Sequence, residues 1–289
     1  MVAYKSAMLA GMWQRLFRRR PPLGPEELAR WERDGFLILR DFMPGAAIRA
    51  LRDAVDREWA HAEGNDHEID LLTGPEAGRA FRLGEAPPGA RGEAYKLNNL
   101  FARRADVRAV ALEPRLRDAC AQLLDGEPLV CNSLNFERGS QQPFHIDTWY
   151  MPPPVDVKMV VASICADDVD ASNGPVVYYP GSHRIPPYRF SDGRLNEIAE
   201  EMPKCRAYLD REIAARGLAE EEFRGRSGDV LIWHAQLLHG GRPILDRTRT
   251  RASLVVHYWR ACDLPADQVR TDPKTGSYLG RTLRGEIRF

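Results

Sequence analysis

GDVLIWHAQLLHGG, residues 228–241, reads as a buried strand between turn signals: a Gly-Asp opening, an apolar run at 230–233, and two glycines after His239. Four similar runs surround it, at 129–136, 157–166, 175–179 and 252–259, rich in Val, Ile, Tyr and Trp. Short strands broken by Gly, Pro and Asp clusters predict an all-β sandwich or barrel. A mostly helical insert at 195–216 interrupts them, with Pro203 expected to break or kink it. Upstream, 26–34 reads as a helix capped by Gly35, and 36–39 as a strand. Residues 46–62 read as an amphipathic helix, with Ile48, Leu51, Val55 and Trp59 three or four apart. Residues 115–124 form another helix, and 64–94, rich in Gly, Pro, Asp and Glu, read as a long loop. The expected whole is mainly β with flanking helices, a single domain over residues 25–289.

Composition removes some classes of function. Forty-one basic and 41 acidic side chains cancel, so there is no global basic field to attract nucleic acid. The cysteines, Cys120, Cys131, Cys165, Cys205 and Cys262, are scattered, odd in number and form no CxxC pair. That pattern predicts reduced thiols in a cytoplasmic protein rather than a zinc ribbon or a disulfide framework. Residues 1–24 form a basic amphipathic segment: Met8, Leu9, Met12, Trp13, Leu16 and Phe17 at helical spacing, then Arg18, Arg19 and Arg20. A signal peptide has the reverse order, and the run is too short to span a bilayer, so no transmembrane segment is expected. Packing on the domain or on a partner subunit, or a weak membrane-surface contact through residues 1–20, are the readings this leaves. Oligomeric state is not legible in the sequence.

The chemistry is concentrated in Pro143-Phe144-His145-Ile146-Asp147. In an extended segment residues i and i+2 share a face, so His145 and Asp147 would aim an imidazole and a carboxylate at one point. His239 is the best third ligand, at the end of the run that opened this section. His234, five residues earlier on the same stretch, competes with it and reads as a buried, hydrogen-bonded core histidine. Two histidines and one carboxylate on one face of a metal leave three positions open, which suits non-haem Fe(II). Zinc sites more often use Cys, three His or a helical HExxH, none of which occurs here. Arg251 and Ser253 open the next strand on one face. A guanidinium with a neighbouring hydroxyl matches the distal carboxylate of 2-oxoglutarate, with Arg249 as the competing arginine.

These parts in this order resemble the phytanoyl-CoA dioxygenase family of Fe(II)/2-oxoglutarate oxygenases over about residues 27–260. The carrying segments are WERDGFLILRDFMPGAAIRALRDAV (31–55), HID (145–147), NGPVVYYPGSHR (173–184), GDVLIWHAQLLHGG and RASLVVHY (251–258). The resemblance implies a double-stranded β-helix (a jelly-roll, cupin-like core) flanked by helices. It implies that His145, Asp147 and His239 bind iron and that Arg251, assisted by Ser253, holds 2-oxoglutarate. It also implies that Asn135 and Lys96 approach that co-substrate and that Trp149 looks into the substrate cavity. The expected reaction hydroxylates a C–H bond of a small-molecule metabolite with O2, releasing succinate and CO2. Related halogenases carry Gly or Ala where this chain keeps Asp147. Desaturation, cyclisation and epimerisation stay open, as does a non-catalytic jelly-roll binding protein, or a zinc hydrolase or isomerase on a cupin-like fold.

Overall fold

The structure, a computed structural model, describes residues 22–282 and 285–286. Residues 1–21, which hold nearly all of the basic amphipathic segment, lie outside them. Leu23 is already buried, exchanging backbone hydrogen bonds with the side chain of Gln122 (3.2 and 3.0 Å).

Helix α1 spans Pro25–Asp34, with Pro in its first turn and the Glu27 carboxylate accepting from the Gly24 N–H at 3.0 Å. It stops at Gly35, φ 78°, whose N–H returns to the Trp31 carbonyl. A Cβ there would also stand 2.3 Å from the His183 ring, so the position demands glycine twice over. Strand β1 (Phe36–Leu39) and helix α2 (Gly45–Ala60) follow, then β2 (Glu68–Leu71), β3 (Ala80–Arg82) and β4 (Tyr95–Asn98). Helices α3 (Leu100–Arg103), α4 (Ala105–Ala111) and α5 (Pro114–Leu124) complete the N-terminal part.

The β-rich part contains β5 (Pro128–Phe136), β6 (Met159–Cys165), β7 (Val176–Tyr178), helix α6 (Met202–Arg216), β8 (Glu221–Glu222), β9 (Val230–His234), β10 (His239–Gly241) and β11 (Ser253–Arg260). Strands β12 (Val269–Asp272) and β13 (Gly276–Leu279) end the described core, β13 lying parallel to β5. Among the described residues one sheet runs β1-β9-β6-β11-β5-β4-β2-β3, and a smaller one runs β10-β7-β8. The expected fold is borne out: a largely antiparallel jelly roll flanked by helices, most of them on the large sheet and α6 beside the small one.

Alternation along the strands sorts the core into two layers. Val160, Ala162, Ile164, Val230, Ile232, Leu254 and Val256 meet Leu51 and Val55 of α2 and Leu116 and Ala119 of α5. Their neighbours Met159, Val161, Leu231, Trp233 and Trp259 face the other way, into the roll. At about 25 cal/mol per Å², burying one such Leu or Val stabilises by about 2 kcal/mol.

Two expectations need correction. Residues 64–94 are not a plain loop, because β2 and β3 lie within them and widen the large sheet. These strands are three and four residues long, too short to show a period. Pro203 neither breaks nor kinks the insert helix; it sits in the first turn of α6, where no N–H partner is needed. Among the described residues no helix is long and apolar enough to cross a membrane.

Burial lowers His67 and His234 from 6.5 to about 4. Their folded pKa lies below the unfolded one, so their contribution is intact above pH 6.5 and is lost as pH falls toward 4. Each group's penalty is on the order of 3 kcal/mol at the acid end. The urea midpoint is therefore expected to drop between pH 6.5 and 4.5, and His67→Leu or His234→Leu to flatten that drop. A midpoint as steep in both variants as in the parent would refute the assignment.

Candidate metal centre

The two histidines are brought together by backbone pairing. The His145 N–H donates to the His239 carbonyl at 2.7 Å, and the His239 N–H donates back at 3.0 Å. Gly240 and Gly241 make this approach possible. A Cβ on Gly240 would lie 3.0 Å from the Gln142 carbonyl oxygen, and one on Gly241 2.8 Å from the Gln141 nitrogen. Gly240→Val is expected to push β10 off residues 142–144 and weaken metal binding by about ten- to a hundredfold, read by titration. Unchanged affinity would remove this role from the glycines.

Each imidazole is oriented from behind. Nδ1 of His145 lies 2.8 Å from the Pro143 carbonyl and Nδ1 of His239 lies 3.0 Å from that of Leu237. A carbonyl only accepts, so both Nδ1 atoms carry the proton and both Nε2 atoms offer a lone pair. Asp147 opens a 3-10 turn, Asp147–Trp149, after extended Ile146 (φ −122°, ψ 131°). The same-face argument thus holds across one extended residue rather than along a strand. Asp147 Oδ1 stands 3.9 Å from His145 Nε2 and 3.8 Å from His239 Nε2. Its Oδ2 accepts from the Trp233 indole N–H at 2.8 Å.

One ligand atom from each of the three residues lies within 4.8 Å of the others. Bonds of about 2.1 Å place octahedral donors about 3 Å apart, so closing on an ion moves these atoms by roughly 1 Å. Burial, then the neighbouring His239, lowers His145 to about 4, which keeps its imidazole neutral. Burial alone would raise Asp147, but His239, His257 and His145 outweigh it and hold the carboxylate ionised, well below its usual range. Neutral imidazoles and an ionised carboxylate are the states a metal requires.

Arg251 is 4% exposed and has no acidic group within salt-bridge distance among the described residues. Its Nε and the Ser253 Oγ are buried without hydrogen-bond partners. The register pairs Ser253 with Cys165, which packs with the residues facing into the roll. Two orphaned polar groups at one end of that face fit an anionic ligand that has both charge and hydrogen-bond acceptors. Arg249 is engaged elsewhere, with Asp170 and Ser172, at the surface.

Other expected residues fall differently. Lys96 pairs with Asp70 at 3.2 Å, on the sheet face opposite to Leu97. Asn135 pairs in register with Leu254 and Leu97, both in the helix-side core, and so lies on the far face from His257. It borders a cavity of about 210 Å3 shared with Leu51, Val55, Ala252 and Ser253. Ser253 thus borders the same cavity, although the side chains of Asn135 and His257 belong to opposite strand faces. Trp149 does not look into an open cavity: it packs with Ile146, Leu238, Cys205 and Leu209, with the Arg206 guanidinium 5.8 Å from its ring. The exposed aromatic beside the site is the next residue, Tyr150, whose ring centre is 5.7 Å from that of His145. His234 sits on the helix side against Trp31 and His183, its Nδ1 accepting from the Gln236 N–H. No sequence signal singled out Tyr150.

The sequence model of the phytanoyl-CoA dioxygenase family matches residues 31–250. The chain belongs to that family. Among its curated relatives, an ectoine dioxygenase from Halomonas elongata is 30% identical over 232 residues, 76% of this chain and 65% of that one, a little under two-thirds of the relative's length. One from Bordetella parapertussis is 23% identical over 230 residues, 75% of this chain and 70% of that one. Among solved structures, the carbocyclase SnoK from nogalamycin biosynthesis aligns with TM-score 0.63 at 17% identity, covering 83% of this chain and 85% of that one. EctD from S. alaskensis, in its apoform, aligns with TM-score 0.60 at 19% identity, covering 94% and 89%. At these identities the structural likeness speaks for the fold.

Proposed function

We propose that the chain is an Fe(II)- and 2-oxoglutarate-dependent oxygenase that hydroxylates a C–H bond of a small-molecule metabolite. The observation that carries this reading is the buried, unpaired Arg251 beside an unpaired Ser253, on the same side of the sheet as a His-Asp-His trio. Zinc hydrolysis has no use for such a carboxylate grip. His145, Asp147 and His239 would hold the iron on one side only. Iron with 2-oxoglutarate and O2 supplies the oxidation, giving hydroxylated substrate, succinate and CO2.

The protein's own residues do the rest. Arg251 and Ser253 bind and orient the distal carboxylate, and Lys96 is a further candidate from β4, two strands away across β5. Trp233 orients Asp147, and Tyr150 faces the substrate space. Asp147 keeps a carboxylate where a halide would need room, which supports hydroxylation. The same residues would also serve cyclisation or epimerisation, the reactions of the carbocyclase SnoK and the epimerase SnoN, which share the fold. The four buried and one exposed free cysteines fit a reducing cytoplasm.

The test is anaerobic titration of the protein with Fe(II) and then 2-oxoglutarate. A weak visible charge-transfer band is expected, with succinate release on admitting O2 and a candidate substrate. No band and no succinate would sink the oxygenase in favour of a binding protein. Zinc-dependent turnover without O2 uptake would indicate a hydrolase or isomerase.

A further inference from the structure

Asp147 stands in a short turn outside any strand, so side-chain partners must set how its carboxylate points. Trp233 Nε1 holds Oδ2. On the other oxygen, three imidazole Nε2 atoms converge: those of His145, His239 and His257, the last being 3.6 Å from Oδ1. His257 is 2% exposed and is not part of the set of mutually close donor atoms. It reaches Asp147 from the middle of the large sheet.

A β-bulge lies opposite it. Between His257 and Tyr258 the pairing of β11 with β5 slips by one residue, so that Cys131 and Asn132 together oppose His257. The extra residue belongs to β5, so β5 bends there and brings Cys131 up against His257. The Cys131 thiol donates to the His257 carbonyl at 3.3 Å, tying the bulge to that histidine.

We infer that His257 is a positioning residue: its Nε2–H donates to Asp147 Oδ1 and, with Trp233 on Oδ2, fixes the carboxylate for the metal. The inference rests on the metal site proposed above. At 3.6 Å the contact is just longer than a hydrogen bond, and a small rotation of the ring closes it. Nε2 then carries the proton, and Nδ1, which has no partner, is left as the lone-pair nitrogen. Groups that orient metal ligands in this way typically account for about ten- to a hundredfold in metal affinity.

The test is anaerobic calorimetric and visible titration with Co(II), a spectroscopic stand-in that needs no turnover. His257→Phe keeps bulk and removes the donor; it is expected to weaken Co(II) by about ten- to a hundredfold while leaving the shape of the bound-metal spectrum unchanged. His257→Gln places an amide N–H near the position of Nε2 and is expected to restore affinity to within about threefold of the parent. If His257→Phe fails to fold, His257→Asn, whose amide stops short of Asp147, takes its place. A folded donor-less variant that binds Co(II) as tightly as the parent overturns the inference. So does a folded His257→Gln that stays as weak as His257→Phe, or a changed spectrum, since either would make His257 a ligand. A parent protein that binds no Co(II) would instead bring down the metal site itself.

Discussion

His239→Ala is expected to lose iron at concentrations that saturate the parent protein. Its Nε2 is one of the trio's three donors, and among the described residues no fourth donor belongs to that mutually close set. A loss of about 4 kcal/mol of metal binding corresponds to roughly a thousandfold in affinity. The backbone pairing of residues 145 and 239 does not involve the side chain, so the variant is expected to keep its fold. The control is His234→Leu on the adjoining strand, which removes an imidazole from the helix side and should leave iron affinity within about threefold. Anaerobic Fe(II) titration of both variants decides between them. Iron retained by His239→Ala and lost by His234→Leu would move the site to the other histidine.

The second large effect is expected at Arg251, and its sign differs between free and loaded protein. Burial without an acidic partner disfavours the charge, and desolvation accordingly lowers the pKa of this guanidinium. Arg251→Met should therefore raise the melting temperature of the protein measured without 2-oxoglutarate. The same variant removes the charged partner of a buried carboxylate, at a cost of about 3 kcal/mol, or a little over a hundredfold in KM for 2-oxoglutarate. Arg251→Lys is expected to recover little, because an ammonium cannot grip a carboxylate with two parallel donors. The thermal shift on adding 2-oxoglutarate should vanish in Arg251→Met and persist in Arg249→Met. A shift lost only in Arg249→Met would exchange the two residues.

Much of this was legible in residues 128–260, and the limits have physical causes. Short buried runs between turn residues announce a β-roll because pattern and turn chemistry agree. His145 and Asp147 come together because one extended residue separates them, which is local; His239 joins them through a long-range backbone bridge, and the glycines after it mark that close approach. Asn135 was placed by resemblance alone; in the structure it follows a bulged residue at Cys131 that shifts the parity of β5, and no spacing announces such a bulge. Trp149, placed by resemblance alone, follows Asp147 within a 3-10 turn and packs into a small apolar cluster, which no spacing in the sequence announces. Arg251 over Arg249 could not be decided by spacing, because both lie in one Arg-rich run and only burial separates them. Strands β2 and β3 are too short to carry a pattern and exist because the edge of the large sheet supplies their partners.

The bridge between residues 145 and 239 is made by main-chain atoms and tolerates any pair of side chains that fits the space. Scaffold and chemistry can therefore part company in the course of descent. A lineage can exchange either histidine, keep the roll intact, and continue as a protein that binds without oxidising. Common ancestry in this architecture is accordingly a poor guide to activity. The residues standing at positions 145, 147, 239 and 251 of each member are a much better one.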